Sequence, residues 1–226
     1  MNKESIDKPG LMALFTHLRH VFTAQRDFLI DLDGKVGDSD LGLTMNKAFT
    51  AADESVATSV QANSLGRTLQ LAGMAIAKAA PSTMGTLTAT GFMRGGKAVG
   101  EAESLGTAEI AAFWRAYHDG VVERGKAKPG DKTLVDVLLP IVTSLEASAL
   151  AATSLSDALS LASQAAATAL EGTKTMVAQH GKAACFQEKS LGLQDAGATV
   201  GFLIIDTLRA HVMNIARATT KSEQGT

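Results

Sequence analysis

The chain has 226 residues, a formal net charge of −2, 46% hydrophobic residues and only 4% aromatic ones. That length fits one domain of up to roughly 250 residues with a core of its own. A single cysteine, Cys185, excludes an internal disulfide framework and a cysteine-based zinc cluster, and the near-balanced charge argues against a dedicated nucleic-acid binder.

No uninterrupted apolar run reaches the roughly 18–20 residues that span a bilayer. The polar stretch from Met1 to Gly10 lacks the apolar region of a signal peptide. The expectation is a cytoplasmic protein that partners neither nucleic acid nor membrane. Ala, Leu, Val and Met carry the apolar share, which favours helix over sheet, Val excepted.

In chain order the apolar spacing is helical. Leu11, Phe15, Leu18, Phe22 and Leu29 predict one long amphipathic helix. Met45, Phe49, Ala52 and Val56 predict a second, with Thr44 as its cap. Leu65, Leu69, Ala72 and Ile76 mark a third, and a fourth runs from near Thr86 to Val99. Thr107 caps a fifth, with Ile110, Trp114, Tyr117 and Val121 on one face. Leu134, Leu138, Ile141 and Leu145 form a sixth, bent by Pro140. Ser154 and Asp157 form a capping box before a seventh through Leu155, Leu159, Ala162, Ala166 and Leu170. Val200 to His211 gives the last. The fold class is therefore all-α, a single domain of about eight helices, with a core from about residue 10 to 217 and a polar, frayed tail over 218–226, from about Thr219.

Glycines concentrate in four stretches read as loops: Gly34 to Gly42, Gly85 to Gly96, Gly125 to Gly130 and Gly181 to Gly197. Each lies at or beside a predicted helix end, where backbone amides attract anions and glycine allows close approach. Four such stretches suggest a phosphate-handling rim.

The first stretch holds Asp33, Asp38 and Asp40, three carboxylates within eight residues. Crowded carboxylates repel unless a cation neutralises them, and Mg²⁺ prefers oxygen ligands beside substrate phosphates. A solvated acidic turn is the alternative; Asp31 sits nearby at a helical position that points it away. Ser82, Thr83 and Gly85 open a helix either as a phosphate cradle or as a simple cap. Pro129-Gly130 leads into a helix capped by Asp131, and Gly181-Lys182 with Asp195-Ala196-Gly197 precedes the last helix. The histidines offer no ligand pair: His17 and His20 are surface or groove residues, and His118, His180 and His211 are isolated. Cys185 is read as a packed thiol rather than a nucleophile.

Taken together, LDGKVGDSDLGLTMNKAF, MGTLTATGF, RGKAKPGDKTLVDVLLP and GLQDAGAT resemble the nucleotide-binding L subunit of dihydroxyacetone kinases, the DhaL or DAK2 domain. The stretches occur in the family's order from about residue 10 to 215. The resemblance implies an up-and-down barrel of eight antiparallel helices. It assigns Asp33, Asp38 and Asp40 to two Mg²⁺ ions that grip ADP or ATP phosphates. Leu41, Gly42, Leu43 and Thr44 match the segment contacting the phosphates. Gly125 and Leu134 match the adenine and ribose pocket, and Lys182, Asp195, Ala196 and Gly197 match the remaining nucleotide contacts.

The chain also departs from the family. Leu41 stands where His is usual, Thr44 where Asn is common, and Lys182 where Arg is usual, so a planar fork becomes a point charge. The family's Gly-Gly-x-Ser-Gly loop is replaced by Lys78 to Thr83, where Ser82 or Thr83 is expected to take the hydroxyl role. Ala196 stands in a turn that usually carries Pro.

The resemblance implies phosphoryl transfer to dihydroxyacetone or a related short ketose, with no catalytic base identified in this chain. In the family the ketose is bound by a separate K subunit, so the resemblance implies a DhaK-like partner, and the single domain expected over these 226 residues is in keeping with that. A phosphotransferase-system phosphocarrier of the DhaM type is a further expected partner where bound ADP is rephosphorylated rather than exchanged for ATP. The alternative reading is a non-catalytic, nucleotide-sensing subunit.

Overall fold

The structure, a computed structural model, describes residues 4–59 and 64–223, with side chains described to residue 216. Nine α-helices cover most of the described residues: α1 (Lys8–Ala24), α2 (Arg26–Gly34), α3 (Leu41–Thr58), α4 (Leu65–Ala79), α5 (Thr83–Val99), α6 (Thr107–Gly125), α7 (Leu134–Leu150), α8 (Leu155–Gly172) and α9 (Ala196–Glu223). Strand pairing among them is limited to a bridge between Ile6 and Leu105. The expected tail is helical to Glu223, and residues 224–226 lie outside the described residues.

α1 packs on α3, each helix from α3 to α9 packs on the next, and α9 returns to α1. The result is a closed ring of eight helices, an all-α barrel. α2 lies outside the ring against α3. The single long helix expected over Leu11 to Leu29 is in fact α1 and α2, broken at Gln25 (φ −89°, ψ 2°). The apolar spacing continues through the break because Leu29 remains buried; the bend lays α2 on α3 instead.

Alternation sorts the connections. Segments 35–40, 80–82, 126–133 and 173–195 fall at one end of the barrel, where α3, α5, α7 and α9 begin. At the other end Ile6 pairs with Leu105, the Ser156 amide donates to Glu4, and the Thr107 hydroxyl donates to the Thr153 carbonyl at 3.0 Å.

Three expected caps move. α3 starts at Leu41 rather than after Thr44, with Asp40 at its cap position. Gly106 rather than Thr107 precedes α6, and the Glu109 carboxylate accepts the Gly106 amide. α7 is capped by Thr133, not Asp131, because Asp136 reaches back to the Thr133 amide at 2.6 Å. α7 continues through Pro140. The Ser154–Asp157 pair at the start of α8 is as expected.

The barrel interior is one contiguous apolar core. Few aromatics occur, yet most of them meet there: Phe92 touches Phe15, Phe49, Phe113 and Tyr117, and Tyr117 touches Trp114. α9 is long and apolar enough to cross a membrane by length and composition alone, but Ala198, Val200, Ile204, Ile205, Leu208 and Val212 face the core.

The second glycine stretch is not a loop. Gly85, Gly91, Gly95 and Gly96 all lie within α5, where Gly91 and Gly95 let Tyr117 and Phe113 of α6 approach and Gly96 lets the backbone of α4 approach. A Cβ on Gly91 would sit 2.4 Å from the Tyr117 ring, which is fully enclosed and cannot retreat. Gly91→Ala is expected to destabilise the protein by about 1–3 kcal/mol, as overpacking of cores does. Gly172→Ala, at a helical position (φ −57°, ψ −29°) where a Cβ meets nothing within 4 Å, should instead stabilise by about 0.4–1 kcal/mol and raise the urea midpoint.

Candidate functional site

The rim at the α3, α5, α7 and α9 starts carries the predicted residues. Asp33 ends α2, and Asp38 and Asp40 follow in a tight connection to α3. One carboxylate oxygen from each of the three lies within 4.8 Å of the others. Asp31 does not join them. The loop reaches this shape by close backbone approach. Asp33 accepts the Asp40 amide at 3.1 Å, Ser39 turns through φ 62°, and a Cβ on Gly37 would collide with the Asp33 carboxylate at 2.2 Å. The Asp40 carboxyl is pushed up by its burial first, then by Asp38 and Asp33, while Lys182 pulls it down. The donor set is hard oxygen and the charge is uncompensated by two units after Lys182. It fits a divalent cation of the Mg²⁺ type.

Lys182 closes on this loop from the α8–α9 segment, its ammonium donating to Asp38 Oδ2. Leu41 is buried in the core, so it offers the rim its backbone N–H and no side chain. Gly42 is buried too; a Cβ there would meet the Arg26 carbonyl at 2.0 Å. Leu43 is exposed. The Thr44 amide is committed to the Asp40 carbonyl at 2.9 Å, leaving its hydroxyl. Ser82 caps α5 by accepting the Gly85 amide at 3.0 Å, and Thr83 beside it is exposed.

On the far side of the rim, Gly197 leaves room between α5 and α7. A Cβ there would lie 3.4 Å from Met84 Sδ and 3.6 Å from the Leu134 amide. Gly125 faces Leu87 in the same way, at 3.2 Å. Leu134 is buried. Ala196 begins α9, and Asp195 caps it by accepting the Ala198 amide at 2.6 Å. Exposed Arg124, Lys126 and Lys128 border this side.

The rim also contains a residue the sequence reading passed over. Lys132, in a left-handed conformation (φ 60°), is 3% exposed. Its ammonium donates to four carbonyls, those of Thr173 (2.8 Å), Met176 (3.2 Å), Ser190 (2.7 Å) and Leu193 (2.6 Å). Its neighbour Asp131 accepts the Lys128 amide and pairs with His180 Nε2 at 2.9 Å. Those contacts hold the Asp131 carboxyl below its ordinary range, the Lys128 amide contributing most. The Pro-Gly-Asp-Lys-Thr motif was the available signal, but its partners lie some forty to sixty residues downstream and have no local pattern.

The histidines are less isolated than expected. His180 pairs with Asp131, His118 Nδ1 with Asp119 at 2.9 Å, and His211 Nδ1 with His17 Nδ1 at 3.0 Å between α9 and α1. Each pair except His118–Asp119 joins residues distant in sequence. Cys185 is exposed rather than packed, because it lies on the outer face of the α8–α9 segment.

Two measurements test this geometry. Burial pushes the Asp195 carboxyl up to about 7, with Asp136 adding to it and the Ala198 amide and Lys132 opposing. Its folded value exceeds the unfolded value near 3.9, so ionisation disfavours the folded state and stability falls as pH rises from about 4 to 7. Asp195→Asn should flatten that part of a pH–stability profile from denaturant melts. Lys132→Met leaves four carbonyls without their donor and should lower unfolding free energy by about 2–5 kcal/mol, with amide exchange rising first in residues 173–193.

Comparison with known proteins extends the picture. The family model described as the DAK2 domain matches residues 35–210. The chain is 35% identical over 195 residues to the ADP-binding subunit DhaL of the PEP-dependent dihydroxyacetone kinase of Escherichia coli, covering 86% of this chain and 92% of that one. It is 34% identical to an L-erythrulose kinase of Pectobacterium atrosepticum over 85% of this chain, but spans only 33% of that protein's length. Among solved structures, the C. freundii dihydroxyacetone kinase in complex with AMP-PNP and Mg²⁺ superposes with a TM-score of 0.69 at 23% identity, covering 88% of this chain and 33% of that one. Its native form gives 0.67 at 21% identity, over 93% of this chain and 36% of that one. These likenesses carry the helical barrel.

Proposed function

The chain belongs to the DAK2 domain family, and on that premise we propose that it is the nucleotide-binding, phosphoryl-transferring subunit of a dihydroxyacetone-type kinase. The observation that carries the reading is the convergence of Asp33, Asp38 and Asp40 within 4.8 Å at the rim where four helices begin. An isolated structural turn has no need of three crowded carboxylates. A phosphate-bound divalent cation does.

In this reading Asp33, Asp38 and Asp40 hold two Mg²⁺ ions, which when bound neutralise phosphate charge during transfer. The chain's own groups do the rest. Backbone N–H groups of Leu41, Gly42 and Leu43 at the start of α3 face the phosphates of ADP or ATP. The Thr44 hydroxyl and the Ser82 and Thr83 hydroxyls donate to phosphate oxygens. Gly125, Leu134 and Gly197 border the place of the base and ribose, with Asp195 and Ala196 beside them and Lys182 as an exposed positive charge. Phosphoryl transfer demands positioning and charge compensation more than covalent work, which agrees with a site rich in amides, hydroxyls and carboxylates. The acceptor hydroxyl belongs to dihydroxyacetone or another short ketose presented by a separate DhaK-like subunit. A DhaM-like phosphocarrier would recharge the ADP where ATP does not exchange.

The deciding experiment combines binding and turnover. Calorimetry should show ADP binding that requires Mg²⁺. Asp38→Ala should weaken that binding at least about tenfold, a loss of roughly 1.4 kcal/mol. Unchanged affinity in Asp38→Ala removes the metal assignment. Phosphorylation of a ketose panel in the presence of a DhaK-like subunit, supplied with ATP or with a PEP-charged phosphocarrier, then identifies acceptor and donor.

A further inference from the structure

We propose that Lys182 competes with the divalent cation for Asp38, so that the segment carrying Lys182 is latched onto the aspartate loop and is released when the cation binds. The proposal rests on the metal assignment above and concerns what the cation displaces.

Three observations lead to it. The first is the ion pair itself. Lys182 and Asp38 lie 144 residues apart, and the ammonium donates directly to Asp38 Oδ2, in one of the three carboxylates that converge. The ammonium occupies one lone-pair site of Oδ2 on the side of Asp38 that faces Lys182, and a +1 charge beside a +2 ion is repelled.

The second is the construction of the segment. Gly181 (φ +65°) and Gly192 (φ +78°) sit at its two ends in conformations that other residues adopt only with strain. Between them residues 185–189 are exposed, and Gln187 interrupts the helical turns with φ 47° and ψ −124°. The third is the clamp beneath it. Lys132 binds the Thr173, Met176, Ser190 and Leu193 carbonyls, and buried Ser190 accepts the Ala178 amide at 3.0 Å. Both feet of the segment are thereby held, and the Ser190 hydroxyl also donates to the Gln187 carbonyl at 2.6 Å. Lys182, just past Gly181, is the residue that ties this exposed stretch to the aspartate loop. Release at Asp38 detaches the stretch from the aspartate loop without unfolding the base. A lysine suits a hand-over, since its ammonium is a point charge on a flexible stem, whereas a planar guanidinium would grip the carboxylate with a fork.

The test uses the full chain without nucleotide. Mn²⁺ is titrated by electron paramagnetic resonance into the wild type, Lys182→Met and Lys182→Arg, with hydrogen exchange followed in residues 181–190. The expected result is Mn²⁺ affinity roughly two- to fivefold tighter in Lys182→Met, the range set by an exposed ion pair. Mn²⁺ should also speed exchange in 181–190 of the wild type, and exchange in Lys182→Met should be fast already and insensitive to Mn²⁺. Lys182→Arg should keep the latch and bind Mn²⁺ no more tightly than the wild type. Equal or weaker Mn²⁺ affinity in Lys182→Met, or Mn²⁺-insensitive exchange in the wild type, overturns the latch. If neither wild type nor Lys182→Met binds Mn²⁺, the metal assignment itself fails, an outcome that the comparison of the two proteins separates from failure of the latch.

Discussion

A single buried ammonium organises the working end of this barrel. The connection between α8 and α9 covers residues 173–195 and contains only short 3₁₀ turns. A connection of that length has too few repeating backbone hydrogen bonds to define its own path. Lys132 supplies the missing constraint by donating to four carbonyls on both strands of the connection. Its left-handed backbone carries strain of about 1–3 kcal/mol, which the charge-assisted bonds of its three N–H groups, shared among the four carbonyls, offset. Burial pulls the Lys132 ammonium below its ordinary pKa, while Asp195 opposes that shift. Asp195 is also the cap of α9, so the clamp and the start of the last helix are electrostatically joined.

The aspartate loop is governed by the opposite problem. Here like charges are forced together rather than opposite partners being recruited. The forcing comes from short-range geometry: Gly37 and Gly42 admit no Cβ, Ser39 takes a positive φ, and the Asp40 amide is spent on Asp33. The repulsion so created is what gives the loop its affinity for positive charge, met in part by Lys182. The two halves of the rim thus use lysine in different ways. Lys132 is enclosed, whereas Lys182 is exposed.

Behind the rim, the barrel positions these loops by packing alone. α5 and α6 approach closely because Gly91 and Gly95 present bare backbone to Tyr117 and Phe113. The same aromatic residues fill the interior against Phe92 and Trp114. A chain with few aromatics spends most of them where eight helices converge, and the small residues of α5 set how near those helices come.

The sequence by itself determined the helices, since three- and four-residue apolar spacing depends only on which side of a helix meets the core. It also determined the aspartate cluster, because Asp33, Asp38 and Asp40 are separated by a few residues and glycine-permitted turns bring them together. It misplaced what depends on competition between neighbours: the break at Gln25, the cap of α7 passing from Asp131 to Thr133, and the glycines of α5, which serve packing instead of a loop. The tertiary structure alone decided the pairs Lys182–Asp38, Lys132 with its four carbonyls, and His17–His211. Those partners are tens to nearly two hundred residues apart, and no periodicity in the chain records which loop ends the closing of a barrel will bring face to face.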